Sequence, residues 1–410
     1  MSQFKEKKFY IYKFLNDCIP IYALYAILFK EKGMTLSQIA LLLSFWSLVA
    51  LIGEIPSGIL ADRWNRRYML LISTILKAVC YIIWSFGSIF IMFALGFLFW
   101  GIAGAFRSGT EESLIYDNLK SEDREKEFIK IYGKGKFYAS IGNLVGIISS
   151  GILSSFISIS MISTISALIC LIDFIFAYQL NEKNYYSERL KQEATNYFGT
   201  FFEAIKLCFK NSKIILSMIF LVLIVSVVGY LDEYDALIID NFDLKNTYIW
   251  ISVIFAVRFL FIAIGNILAP VIEKKKKSKN IAFILGFASS IFLLLFSMIW
   301  NKYGILILGI YCMIMTVVDV IQINIMQKEI KEEGRATIMS VYGVCQNIAM
   351  IIFSLIYALM FSIWSLKTVY IIISIYCIVG TIMIYILSNV ARKQKFSHQI
   401  SNVNIFGKCP

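Results

Sequence analysis

Charge and proline are scarce in this chain: of 410 residues, 16% are charged, four are proline and one is histidine, against 59% hydrophobic. So little charge excludes an ordinary soluble domain, because the apolar surface exceeds what a water-facing core of this length hides. The apolar segments also lack the residue-by-residue alternation of a membrane barrel, which leaves helices as the spanning structure. The eight cysteines show no C-x-x-C spacing. They give neither a disulfide framework nor a metal site, and read as small packing residues. No G-x-x-x-x-G-K-[ST] segment is present to cradle phosphates, so the chain itself is not expected to hydrolyse ATP. No metal cluster, cofactor loop or nucleophile beside a base emerges, so neither an enzyme nor a cofactor is expected.

What is abundant is long apolar runs. Crossing roughly 30 Å of hydrocarbon takes about 20 residues, and twelve runs of that kind begin near Phe9, Ser37, Tyr68, Phe90, Phe137, Ser158, Ile214, Tyr248, Ile281, Tyr303, Ala336 and Leu366. Lys13, Asn16 and Asp17 interrupt the first run and no small-residue cleavage site follows it, so it reads as a retained helix and not a signal peptide. The formal charge of +12 raises nucleic acid as a partner, but the distribution of the bases answers otherwise. With the N-terminus in the cytoplasm, thirty of the 39 Lys and Arg fall in inside segments and five in outside loops. Lys13, Lys77, Arg107 and Arg258 lie within spans. That asymmetry predicts both termini in the cytoplasm and an even number of crossings, with no nucleic-acid site. The fold class is an all-α membrane protein of twelve transmembrane helices in the bacterial cytoplasmic membrane.

The polar stretch 181–213 divides the chain into a six-helix bundle at 1–180 and another at 214–391, with a cytoplasmic tail at 392–410. Within the divider, Tyr197 to Phe209 sets five apolar residues at helical spacing among Glu203, Lys206 and Lys210. That suits an interfacial helix on the cytoplasmic face and equally an ordinary polar linker. The halves echo each other. Asp62 followed by bases ends the second run as Glu273 followed by Lys274 to Lys277 ends the eighth, and Tyr138 with Asn143 matches Tyr342 with Asn347. Such duplication favours a transporter whose substrate site lies near mid-membrane.

The stretch Gly58-Ile-Leu-Ala-Asp62-Arg63-Trp-Asn65-Arg66-Arg67 resembles the G-x-x-x-D-R-x-G-R-R signature of the major facilitator superfamily, with Asn65 in place of the second glycine. A tight turn there calls for a residue tolerant of positive φ, which Asn supplies. The resemblance implies two pseudo-repeated six-helix bundles and a conformational latch formed by Gly58, Asp62, Arg63 and Arg67. Arg66 is either part of that latch or a positive-inside anchor. Glu111, Glu112 and Asp117 are expected to close the latch against these arginines. Glu54-Ile-Pro56-Ser-Gly58 also looks like bacterial members. In the fifth run, Gly133, Gly142, Gly146, Gly151 and Leu153 are similar to the glycine pattern of the drug and proton antiporters, with Ile147 where that pattern has proline and Ser150 where it has glycine. Close helix packing alone would also explain these glycines.

A charge at bilayer depth costs at least about 2.5–3.5 kcal/mol, which makes each intramembrane charge a functional candidate. Asp17, the one carboxylate of the first helix proper, is the first choice for a titrating group, with pairing to Lys13 four residues away as the alternative. Arg107 repeats that spacing with Glu111, but the Gly109 that follows it matches the family's proton-coupling pattern poorly. Asp232, Glu233 and Asp235 read as a solvated outer mouth or a proton site. Lys77, Asp173, Arg258 and Asp319 stand as isolated charges, with Arg258 and Asp319 placed to pair. With His398 alone in the tail, proton coupling would run through carboxylates, the candidates being Asp17, Glu54 and Glu233 beside Arg107. Tyr12, Tyr22, Tyr25, Trp46, Trp84 and Trp100 are candidates to line an apolar cavity, or else packing residues.

The reading that follows is a monomeric, proton-coupled secondary transporter exporting a small amphipathic or apolar solute, as the drug-efflux-like branch would imply. Its alternatives are a proton-coupled importer of a nutrient or metabolite and, from another class, a non-transporting membrane sensor or scaffold.

Overall fold

The computed structural model describes residues 6–108, 110–180, 206, 211–275, 280–329 and 335–406, and within these ranges leaves some side chains undescribed, among them those of 58, 61–63, 327–340 and 391–406. The described residues form helices and contain no strand. Twelve segments are long and apolar enough to cross a membrane. In chain order they are Glu6–Glu31, Leu36–Glu54, Arg66–Phe86, Phe90–Lys120, Lys130–Leu153, Ile159–Tyr178, Lys213–Asp240, Thr247–Lys274, Ile281–Ile299, Gly304–Met326, Val341–Ile363 and Leu366–Val390, called below the first to twelfth spans. Large apolar side chains remain exposed along them, among them Phe137, Ile148 and Ile152 on the fifth and Ile382, Ile386 and Val390 on the twelfth. The outward apolar faces are what a lipid solvent requires.

Among the described residues, the first and seventh spans pass through 3-10 or π turns. The first is an α-helix over Glu6–Asp17, a 3-10 turn over Pro20–Ala23 and a second α-helix over Tyr25–Glu31. Pro20 has no N–H to give to a continuing helix and sits at the start of the turn, where none is needed. Part of the freed backbone is satisfied by the sixth span: Ile21 N–H donates to Ser166 Oγ at 3.1 Å. The seventh span passes through a π turn at Leu221–Val225 and a 3-10 turn at Tyr230–Tyr234 before its last helix, Asp235–Asp240. Irregular backbone at this depth is tolerated where protein or a water-filled cavity receives it.

The chain gathers into two compact units, and these do not coincide with the halves of the sequence. The first comprises Met1–Thr195 together with Glu233–Ala256 and Met350–Ile363. Its core joins Phe9 and Tyr12 to Leu70, Leu114, Ile115 and Ile131. An aromatic cluster of Phe29, Trp84, Phe93 and Phe97 fills it farther along, with ring centroids 4.4 Å apart for Phe29 and Phe93 and 4.9 Å for Trp84 and Phe97. The second unit holds the rest, with Leu221 packed beside Met326 and Tyr342, and Ala282 beside Val317 and Ile321.

The connection between the second and third spans differs from the expected turn. Asn65 has φ −72° and ψ 116°, extended backbone, and its side chain accepts from Tyr68 N–H at 3.3 Å as the N-cap of the helix Arg66–Phe86. Asn thus serves by capping an exposed helix start, a role worth about 1 kcal/mol, and not by adopting positive φ. The expected interfacial segment 197–209 lies outside the described residues apart from Lys206.

Candidate functional site

The break in the first span ends a helix inside the first unit, and the last residues of that helix gather charge. Asn16 is 2% exposed. Its Nδ2 donates to Asp173 Oδ2 on the sixth span at 2.9 Å. Its Oδ1 accepts from Lys77 Nζ at 3.3 Å and from Arg107 Nη1. Lys77 Nζ also donates at 2.7 Å to the Asn16 carbonyl. That places an ammonium at the C-terminal end of a helix, where the helix dipole is negative and carbonyls lack partners. Asp17 Oδ1 lies 3.8 Å from Arg107 Nη1. One turn earlier, Lys13 pairs with Glu111 at 2.8 Å, both buried. Lys13, Lys77 and Arg107 thus face Asp17, Glu111 and Asp173, three basic side chains against three acidic ones.

These contacts correct several expectations. Lys13 pairs with Glu111 and not with Asp17, and Arg107 with Asp17 and not with Glu111, because both partners across the helix interface lie closer than the i+4 neighbour. Lys77 and Asp173 are not isolated; Asn16 joins them. Asp173 Oδ1 is buried with no hydrogen-bond partner among the described residues. Glu111 reaches Lys13 and Glu112 accepts from Tyr132 Oη, and neither meets Arg66 or Arg67 after the second span. Arg258 lies 3.7 Å from Asp232 and does not pair with Asp319. Asp235 is fully buried and Glu233 accepts from Tyr25 Oη, which replaces a solvated mouth. Glu54 is exposed.

At the expected latch, Arg66 Nη1 donates to Asp117 Oδ2 at 2.5 Å, and the Arg67 guanidinium stands 4.1 Å over the Tyr178 ring. The side chains of Asp62 and Arg63, and Gly58, lie outside the described residues, as do Gly109 and the His398 side chain. At the same end of the unit, Arg124 holds Glu127 at 2.9 and 3.0 Å and Glu6 at 2.5 Å. Hydrogen bonding to Glu127 and then to Glu6 raises the guanidinium further above its ordinary range, and the bond from Arg124 holds Glu127 below the usual carboxylate range. At the opposite end, Lys30 meets Asp240 at 2.5 Å and Tyr248 Oη donates to Glu31 at 2.8 Å.

Among the fifth-span glycines, a side chain at Gly142 or Gly146 would collide with the backbone of Phe14 or Ile19, and one at Gly151 with Ser252 of the eighth span. Gly142 and Gly146 therefore let the broken first span approach closely. Gly133 faces open space.

Aromatic rings continue the site past Asp17. Tyr12 and Trp84 are fully buried and Tyr25 nearly so, which makes them core. Tyr22, Trp46 and Trp100 are half-buried. Trp100 stacks with Tyr22 at 5.4 Å and with Trp46 at 5.2 Å, and Lys77 Nζ stands 5.4 Å over the Tyr22 ring. An ion network and a partly open aromatic wall are therefore adjacent, an arrangement that can hold a solute with one polar and one apolar part. Asn16 is the residue the sequence reading passed over. Its signal was local: Asn-Asp shortly before Pro20 is the signature of a helix end. Its partners, 61, 91 and 157 residues away, had none.

The sequence profile of the Major Facilitator Superfamily matches residues 13–354. No curated protein sequence matches the chain. Among solved structures, the nucleoside transporter NupG aligns with a TM-score of 0.76 at 16% identity, covering 93% of this chain and 98% of that one. A D-xylose-proton symporter aligns with a TM-score of 0.67 at 13% identity, covering 93% and 95%. A bacterial homologue of the lysosomal transporter Spinster aligns with a TM-score of 0.68 at 13% identity, covering 94% and 96%. At such identities the likeness is one of fold.

Proposed function

Because the chain belongs to the major facilitator superfamily, we propose that it is a proton-coupled secondary transporter that moves a small amphipathic solute across the bacterial cytoplasmic membrane by alternating access. The observation that carries this reading is the set of six ionisable side chains around Asn16, inside a membrane bundle and beside a half-open aromatic wall. A purely structural scaffold gains nothing from six ionisable groups at that depth, each expensive to bury when charged. Asp17 is the proton-exchanging member: it is partly open, and its 3.8 Å contact with Arg107 is loose enough to be remade. Arg66 and Asp117 form the part of the latch at the basic end, which the positive-inside rule places in the cytoplasm with both termini.

The cargo's charge sets the direction of coupling. A neutral or cationic solute that displaces a proton gives export by antiport, the direction the fifth-span glycines support by their resemblance. A solute that enters with a proton gives uptake, a reading favoured by the fold's likeness to a D-xylose-proton symporter. The likeness to a nucleoside transporter adds uncharged planar solutes to the candidates. Inside-out vesicles with an imposed pH gradient decide between these readings. An exporter accumulates its solute from the medium when the lumen is acidic, and an importer loses it. No solute movement of either kind, with whole cells unaffected by loss of the protein, would return the chain to the scaffold reading.

A further inference from the structure

On the helix Phe90–Arg107, Trp100, Gly104 and Arg107 stand at i, i+4 and i+7 and so share one face. A Cβ at Gly104 would meet nothing within 4 Å. The face therefore runs from an aromatic ring through open space to a guanidinium. Both ends of that space are prepared. At one, Tyr22, Trp100 and Trp46 form a run of near-parallel rings with interplanar angles of 13° and 28°. At the other, Arg107 retains 34% side-chain exposure although it bonds Asn16, and Asp17 beside it retains 22%. A charged pair left open at this depth faces water, since hydrocarbon would not solvate it.

Resting on the transporter reading above, we propose that the solute is a planar aromatic acid, its ring against the Tyr22, Trp46 and Trp100 wall and its carboxylate on Arg107 across the Gly104 gap. Guanidinium presents donors in a fork that matches a carboxylate, and only part of that fork is committed to Asn16. Asp17, at 3.8 Å, is the incumbent anion of the same cation. When the solute's carboxylate takes Arg107, Asp17 loses its counter-charge and binds a proton from water, so the net charge of the network is unchanged. No bond other than that to the proton forms. The groups facing Asp17 and Arg107 are Tyr12 and Tyr22 on the first span, Lys77 on the third, Glu111 on the fourth and Asp173 on the sixth. Acid and proton then travel together, and the proton gradient drives uptake.

The test uses the purified full chain with 1-naphthoate, uncharged uridine and cationic 1-naphthylmethylamine as probes, read by ligand-induced rise in melting temperature and by proton uptake into proteoliposomes. The expected result is stabilisation and saturable proton co-movement with 1-naphthoate only. Arg107→Gln and Trp100→Leu should each weaken 1-naphthoate binding at least about tenfold. Gly104→Leu, whose Cβ would meet nothing within 4 Å and whose unliganded melting temperature reports whether the fold is kept, should abolish it. Stabilisation by uridine or the amine in place of 1-naphthoate, no binding of 1-naphthoate at millimolar concentration, or unchanged affinity in Gly104→Leu would overturn the proposal. A low-molecular-mass cell extract in the same vesicles separates two failures. Proton movement with the extract but not with 1-naphthoate removes the aromatic acid and leaves the transporter; movement with neither removes both.

Discussion

Lys77 Nζ donates at 2.7 Å to the main-chain carbonyl of Asn16 and at 3.3 Å to its Oδ1, so one ammonium both closes the first helix and fixes the residue that gathers the other charges. Removing one member of a buried ion set leaves an uncompensated charge, which typically costs about 3–5 kcal/mol. Lys77→Met is therefore expected to lower the melting temperature sharply in detergent. Lys77→Met combined with Asp173→Asn removes a base and an acid together and should recover much of the loss. If the double variant is no more stable than the single one, the two charges do not balance each other through Asn16.

Asp17 and Arg107 make the looser contact of the network, and the coupling reading puts the exchangeable proton on Asp17. Asp17→Asn is expected to abolish uphill accumulation driven by a pH gradient while preserving solute exchange at equal pH. Identical flux for parent and variant across a range of pH would show that Asp17 is not the coupling residue.

Asn65 and Tyr68 give a test of why the signature loop accepts asparagine. If Asn65 acts as the N-cap, Asn65→Ala should cost about 1 kcal/mol and Asn65→Gly only a few tenths. If a positive-φ turn were the requirement, Gly would be the more stable residue there. Denaturation midpoints of the three proteins separate the two accounts.

How much of this was legible in the sequence depends on how far apart the interacting residues lie. The twelve spans were readable because each is a local property of about 20 consecutive residues, and the Asp62 to Arg67 signature because it is contiguous. The pairing of the charges was not. Spacing made Asp17 the neighbour of Lys13, yet a helix surface offers its i+4 neighbour only a weak interaction of about 0.2–0.5 kcal/mol. The facing helix brought Glu111 to Lys13 at 2.8 Å instead. Similarly, half-burial separated Tyr22, Trp46 and Trp100 from the core rings Tyr12 and Trp84. That property belongs to the helix faces, and no composition count contains it.

Arg124 and Glu127 predict a pH dependence outside the spans. Glu127 titrates below the usual carboxylate range because Arg124 bonds its ionised form. A lowered folded pKa gives stability that is fully present above the unfolded value of about 4.3 and is lost as pH falls through the lower folded value. Glu127→Gln should therefore differ from the parent in melting temperature at neutral pH, with the difference closing below about pH 4. A difference that persists unchanged into acid would mean the bond does not depend on the charge of Glu127.

Lys30, Tyr25 and Glu31 tie the first span to residues of the seventh and eighth within the first unit: Lys30 to Asp240 at 2.5 Å, Tyr25 to Glu233, and Glu31 to Tyr248 at 2.8 Å. All three lie at the end opposite Arg66 and Asp117. An exposed charge pair such as Lys30 with Asp240 is worth little, about 0–1 kcal/mol, so it is suited to forming and breaking during a transport cycle. Holding it closed should stop the cycle. Lys30→Cys with Asp240→Cys, bridged by a short bifunctional maleimide, is expected to abolish solute flux without lowering the melting temperature. The single-cysteine variants treated in the same way should keep their flux. Retained flux in the bridged protein would show that this end need not open for transport.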